Sequence, residues 1–258
     1  MAGAELKPTP LVTIAVPSFN QARFLEEALT SIFDQDVPVE VFVADAGSTD
    51  GSIEIIKKFE HLLAGWRSHL DGGQAAAINE SIAKGHAPYV GWLNSDDCLL
   101  PGGLKNLLAA FERQPSAPAV YGRVWNHNQK TAARTAVWVQ PFTERRLATR
   151  CIISQPGTLI RRAAWEAIDG VDASLHMAMD YDLWWRLYKR FAALGFVDEY
   201  VALNRDHEDT KTNSFRRRHY QEAMAVVRKH HGQVPLKWWL AQPYAVWLKA
   251  MLNMARHS

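Results

Sequence analysis

Apolar positions along the first half of the chain alternate between two rhythms. Leu11-Val12-Thr13-Ile14-Ala15-Val16 is a short, nearly unbroken apolar run closed by Pro17-Ser18-Phe19-Asn20, which predicts a buried strand and a turn. Phe24, Leu25, Ala28, Leu29, Ile32 and Phe33 then recur at helical spacing, a stripe that must lie on a sheet, with Asn20 as the expected cap. Val37 to Ala44 reads as a second strand, followed by a helix carrying Ile53, Ile56 and Phe59, with Asp50 or Ser52 placed to cap it. Trp66 to Leu70 predicts a short third strand, and Ala75 to Lys84 a helix ended by Gly85. Tyr89 to Leu93 predicts a buried parallel strand bounded by Pro88 and by Pro101-Gly102-Gly103. The helix from Gly103 to Arg113 then turns Leu104, Leu107, Leu108 and Phe111 inward.

Beyond Pro115 and Pro118 the rhythm changes. Ala119 to Val124 and Val137 to Val139 read as strands around a polar turn near Asn126-His127-Asn128, so antiparallel pairing enters and the sheet becomes mixed. Ser154 to Arg161 is a loop entering a strand, with a short helix near Ala164. Met179 to Leu187 is an apolar helix opened by acids, and Phe196 to Leu203 a last strand. Helices are expected from about Phe215 to His230 and again beyond Pro235, where Pro243 interrupts the pattern before Tyr244, Trp247, Leu248, Met251 and Leu252. No internal repeat or low-complexity segment is present.

The predicted strands end on acids: Asp45 after the second, Asp71 after the third, and Asp96-Asp97 after the fourth. In open α/β sheets ligands bind at that rim, and hard oxygen ligands gathered there suit Mg²⁺ or Mn²⁺ carrying a phosphorylated substrate. Gly47-Ser48-Thr49-Asp50-Gly51-Ser52 makes a loop whose backbone can approach a ligand closely. Neither G-x-G-x-x-G nor G-x-x-x-x-G-K-[ST] follows the first strand, which disfavours a nicotinamide or flavin site and a phosphate loop.

With 258 residues, 48% of them apolar, the chain can bury a sizeable core. A net charge of +2 gives no argument for nucleic acid. Cys98 and Cys151 are the only cysteines and are read as reduced thiols. Met1 to Pro10 has no signal or transit pattern and no run of about 20 apolar residues occurs, so the expected location is the cytoplasm.

Several motifs stand in order: Val16-Pro17-Ser18-Phe19-Asn20, Asp45 with Gly47 to Ser52, Asp71-Gly72-Gly73-Gln74, Asn94-Ser95-Asp96-Asp97, Asp180-Tyr181-Asp182-Leu183-Trp184, and Arg205 with His207. Together they resemble the family 2 glycosyltransferases with the GT-A fold, inverting enzymes that build bacterial surface glycans, from Leu11 to about Lys211. The resemblance implies an α/β, Rossmann-like, mixed but mostly parallel sheet flanked by helices. It divides the chain into a flexible start at 1–10, a catalytic domain at 11–213 with a nucleotide-sugar half at 11–115 and an acceptor half at 116–213, and a C-terminal helical appendage at 214–258. The implied reaction moves a sugar from a nucleotide-sugar donor, a UDP-sugar first among them, to a glycan or lipid-linked acceptor with the help of Mn²⁺ or Mg²⁺.

By the same resemblance the donor lies against Pro17, Ser18, Asn20, Asp45, Gly47, Ser48, Asp71, Gln74, Asn94, Asp96, Arg205 and Lys211. Asp45 accepts from the base, Asp96 lies near the ribose, Asp97 ligates the metal with His207 close by, and Asp180 is the general base. Gln155, Asp182 and Trp184 fall on the acceptor side. Two departures matter: no strict D-x-D pair is present, which leaves Asp97 as the direct ligand, and Met179 stands where many relatives carry Glu, which keeps Asp182 as a rival base. Asp180 is also placed as an ordinary N-cap, and Trp184 as core or cleft wall. Arg216-Arg217-Arg218 and the aromatic tail are a candidate contact with the inner membrane face. A sugar-phosphate nucleotidyltransferase and a non-catalytic nucleotide-sugar-binding module are the alternative readings.

Overall fold

A computed structural model describes residues 8–208, 210 and 215–242. Lys211, the start at 1–7 and the tail from 243 onward lie outside the described residues. Within them the first half builds as its periodicity requires. Strands β1 (Val12–Ser18), β2 (Val39–Asp45), β3 (Gly65–Ser68) and β4 (Tyr89–Trp92) run parallel in the order β3-β2-β1-β4. Helices α1 (Ala22–Phe33), α2 (Ser52–Phe59) and α3 (Gln74–Lys84) connect them.

Successive residues of a strand point to opposite faces, and β1 divides its side chains accordingly. Val12, Ile14 and Val16 join Leu25, Leu29 and Ile32 of α1 in one core, whereas Ala15 joins Ile78 and Ile82 of α3 in the other. The chain therefore reverses its winding at β1, between β2 and β4, and that reversal opens a crevice at the carboxyl ends of these strands.

The two-residue strand β5 (Cys98–Leu99) follows the acid turn and leads to α4 (Gly103–Arg113). The second half adds β6 (Ala119–Asn128), β7 (Arg134–Ala136), α5 (Glu144–Thr149), a 3-10 turn at Gln155–Gly157, β8 (Thr158–Arg161) and α6 (Arg162–Glu166). It ends with α7 (Met179–Arg190), β9 (Gly195–Asp206), α8 (Arg216–His231) and α9 (Leu236–Gln242). Strand β8 lies antiparallel between β4 and β6, β9 runs parallel to β6, and β5 closes that edge antiparallel to β9. The sheet is thus mixed and mostly parallel in its first half, with helices on both faces.

The hairpin between β6 and β7 departs from expectation. Asn126-His127-Asn128 is not its turn but the end of β6, paired with Asn204, Arg205 and Asp206 of β9; the turn comes after it, and β7 ends before Val137. Both strands run past the apolar core there and pair polar residue against polar residue, a pattern that looks like a loop in the sequence. For the same reason β9 reaches Asp206 rather than stopping at Leu203.

Helix α8 packs on α7 through Ala223, Met224, Val226 and Val227, and Trp238 of α9 seals this core by donating from Nε1 to the Ala148 carbonyl at 2.8 Å. Among the described residues, no helix is long and apolar enough to cross a membrane.

Candidate active site

The two loops that leave β1 and β2 are laced together. Asn20 does not cap α1: it adopts φ 51° and its Oδ1 accepts from the Thr49 N–H at 2.9 Å, while its own N–H donates to Ser48 Oγ at 2.8 Å. The N–H groups at the start of α1 are satisfied from the neighbouring loop instead, Gln21 by Ser52 Oγ and Ala22 by Asp50 Oδ2. Asp50 and Ser52 hydrogen-bond to each other, and Gly51 rather than either of them is the N-cap of α2.

Asp45 is fully buried at the centre of this lacing. Its carboxylate accepts from the Gly47 and Ser48 N–H groups at 3.0 and 2.9 Å, from Ser68 Oγ at 2.6 Å, and from Ser48 Oγ. Asp45, Gly47 and Ser48 thus shape the wall from behind, and Pro17, Ser18 and Asn20 form its face.

A cleft of about 980 Å³ runs along the carboxyl rim, large enough for a nucleotide-sized ligand. Its floor is a hydrogen-bonded chain of amides. Gln74 Nε2 donates to Asn94 Oδ1 at 2.8 Å, Asn94 Nδ2 donates to Asp97 Oδ2 at 3.2 Å, and Gln155 Nε2 holds the Trp92 carbonyl at 2.7 Å. Asp71 is fixed at one end by Arg67 at 2.9 Å and caps the Gly73 N–H. Ser18 Oγ and Trp92 Nε1, both buried and both on cleft-lining residues, have no hydrogen-bond partner among the described residues. Native structures rarely leave such atoms unpaired, so a polar ligand in the cleft would complete them.

The acid turn is clamped from below by β9. The Arg205 N–H donates to Asp97 Oδ1 at 2.9 Å, its Nε donates to the Asp96 carbonyl at 2.8 Å, and its guanidinium reaches Cys98 Sγ and Glu27. His207 turns to Asp96 rather than to Asp97, with Nε2 3.0 Å from Asp96 Oδ2 and its ring 4.7 Å from that of Phe24. Burial, and then the neighbouring Asp96 carboxylate, push the Asp97 carboxyl well above its ordinary range.

A buried carboxyl raised in this way at the cleft floor fits a hard divalent cation, and Asp97, with Asp96 beside it, is the residue that would hold one. Among the described residues no three His, Cys, Asp or Glu side chains form a cluster able to hold a metal. That set matches the way Mg²⁺ and Mn²⁺ are held, by one or two carboxylates with the remaining positions left to water and phosphate oxygens.

Asp180 enters the same cleft from the first turn of α7, with its Oδ1 accepting the Tyr181 N–H at 2.8 Å. Burial raises its pKa. His219 of α8 lines the cleft too; burial lowers its pKa, and the Asp180 charge opposes that shift. His219 ends the run Arg216-Arg217-Arg218-His219, which reads as a solvated face, and only the docking of α8 on α7 brings it inward.

Asp182 and Trp184, expected on the acceptor side, are not in the cleft. Two positions along a helix from Asp180, Asp182 points about 200° away. It is fully buried and bound to Arg186 at 2.6 Å, His230 at 2.8 Å and Lys229 at 3.1 Å. Trp184 is equally buried and stacks on Trp92, with ring centroids 6.2 Å apart.

Comparison with known proteins identifies the family and the fold. The family described as "Glycosyl transferase family 2" matches residues 13–168. Over 187 residues the chain is 28% identical to the hyaluronan synthase of Pasteurella multocida, covering 71% of this chain but only 19% of that relative. Among solved structures, S. aureus TarS 1-349 in complex with UDP-GlcNAc superposes with a TM-score of 0.69 at 19% identity, over 85% of this chain and 66% of that one. The mannosyltransferase PcManGT from Pyrobaculum calidifontis, in complex with GDP-Man and Mn²⁺, gives 0.69 at 20% identity over 97% and 76%. Both show that the fold is shared.

Proposed function

Because the chain belongs to glycosyl transferase family 2, we propose that it moves a sugar, with inversion, from a nucleotide-sugar donor to a hydroxyl of a glycan or lipid-linked acceptor during polysaccharide synthesis. A UDP-sugar is the leading donor, and the setting is the cytoplasm, at the inner face of the membrane. The observation that carries this reading is that Asp96 and Asp97, from the first half, and Asp180, from the second, line one cleft. Its size suits a nucleotide sugar, and TarS and PcManGT, which share the fold, hold UDP-GlcNAc and GDP-Man.

The roles follow from the chemistry. The bond from the anomeric carbon to the diphosphate breaks as the acceptor oxygen bonds to the opposite face of that carbon. Negative charge then grows on the departing diphosphate; Asp97, with Asp96 beside it, would hold a divalent cation, which when bound would supply the positive charge to neutralise it. Arg205 keeps that turn in place from beneath. The alcohol proton passes to Asp180, and burial raises its affinity for that proton, the direction a general base needs. Gln155 and the face of α7 border the acceptor.

The test is nucleoside diphosphate release from a panel of UDP-, GDP- and dTDP-sugars with and without Mn²⁺. The wild-type chain should release diphosphate from one of them in a Mn²⁺-dependent manner, and Asp97→Ala should lose about 10²-fold or more of that rate. Asp180→Asn should lose transfer to acceptor while still binding donor. Full transfer by Asp180→Asn would remove the base assignment, and no release from any donor would remove the transferase.

A further inference from the structure

The cleft wall carries an exposed indole with one cleft-lining cation, Arg150, on its ring and a second, Lys237, reaching the same ring from outside the lining. Trp138 lines the cleft and is 42% exposed, unusual for a large aromatic in a cleft whose other tryptophan, Trp92, is 3% exposed. The Arg150 guanidinium carbon lies 5.0 Å from the centre of the Trp138 ring, and Lys237 Nζ lies 5.9 Å from it. Both separations are within cation–π range. Neither cation forms a salt bridge with any carboxylate among the described residues, whereas Arg67, Arg186 and Arg205 each do.

Three separate segments fix this arrangement. Val139 is buried beside Trp138, and the Gln140 N–H donates to the Ile152 carbonyl at 3.3 Å, which ties the Trp138 segment to the one that carries Arg150. Lys237 is delivered by its neighbour Trp238, whose Nε1 is anchored on the Ala148 carbonyl. Both cations are exposed and rest on the indole face without a carboxylate partner among the described residues, which leaves them open to an anion. Their position says which ligand brings one: Trp138, Arg150 and Cys151 line the same cleft as Asp180, on the segment that runs on through Ile153 and Ser154 to Gln155.

We propose that Trp138, Arg150 and Lys237 form an acceptor subsite for an anionic group carried close to the hydroxyl that is glycosylated. This rests on the transferase reading and narrows its acceptor to a glycan bearing a carboxylate or a phosphate. Either anion suits a guanidinium, which binds both in bidentate fashion, with the ammonium adding a point charge. A neutral acceptor would leave both cations unanswered.

Calorimetric titration of the full chain tests this without turnover. The probes are a glucuronate-terminated disaccharide, a hexose 1-phosphate and an uncharged disaccharide, each titrated at low salt and at 0.5 M NaCl. At least one anionic probe should bind about 10-fold or more tighter than the neutral one at low salt, with the advantage shrinking at high salt. Which anionic probe binds tells carboxylate from phosphate. The double variant Arg150→Ala/Lys237→Ala, both changes at exposed side chains, should bring the anionic and neutral probes to equal affinity. Arg150→Lys/Lys237→Arg should keep part of it. Equal binding of all probes by the wild type, or an undiminished advantage in the alanine pair, overturns the subsite. A chain that prefers the anionic probes yet releases no nucleoside diphosphate fails as a transferase only. One that transfers but ignores probe charge fails here only.

Discussion

Asp180 and Asp182 show how far two positions on one helix can separate two identical side chains. Asp182 is buried, yet His230, Arg186 and Lys229 hold its carboxyl far below the ordinary carboxylate range against the desolvation that pushes it up. A carboxyl depressed on folding contributes stability that is fully present above its unfolded pKa of about 3.9 and is lost as pH falls toward the folded value. Asp182→Asn should therefore destabilise by about 3 kcal/mol at pH 7, since it removes the buried carboxylate shared by Arg186, His230 and the more exposed Lys229. Urea melts of wild type and variant should show a smaller difference at pH 3 than at pH 7. A difference that does not narrow on acidification would mean that packing, not charge, is what Asp182 supplies. The motif Asp180-Tyr181-Asp182 holds both residues but not their division of labour, because that depends on Lys229 and His230, more than forty positions away.

At the scale of elements, the strands and helices of the first half were legible because each carries its own period: β1 is buried along its whole length, and α4 runs from Gly103 to Arg113 as its leucines require. Caps and hairpin ends were not, because their partners are distant in sequence: Asn20 serves the Ser48–Thr49 loop, and Asn126 to Asn128 extend β6 only because β9 lies beside them. The start of α4 allows a sharp test of such packing. A Cβ on Gly103 would lie 2.4 Å from the Val201 carbonyl oxygen of β9, whereas one on Gly102, at φ +72°, would meet nothing within 4 Å. Gly102→Ala should cost about 1 kcal/mol in backbone strain. Gly103→Ala should cost more, about 2–3 kcal/mol, because strand backbone cannot yield as a side chain can. Urea denaturation of the two variants checks the ranking. The reverse order would mean that α4 slides off β9 freely, and with it the edge where β9 supports β5 and the acid turn.

The whole molecule brings the cleft together from three directions: the β1 and β4 rim, the first turn of α7, and His219 on α8. Motif order reveals the first two, but His219 belongs to no motif and reaches the cleft only through the core shared by α7 and α8. Its consequence is readable as pH dependence. Facing Asp180 are His219, the Cys151 thiol and the Tyr181 hydroxyl; burial pushes the latter two up, so neither ionises near neutrality. Burial also holds His219 below its usual value while raising Asp180. A base works only when ionised, so the acid limb of kcat/KM for sugar transfer should turn over above the carboxylate's ordinary value of about 3.9. His219 in its charged form favours the Asp180 carboxylate. Replacing it by glutamine removes that help, so His219→Gln should move the acid limb to higher pH, with donor binding unaltered. An acid limb that stays in place, or moves to lower pH, would separate His219 from Asp180 and leave α8 as packing alone.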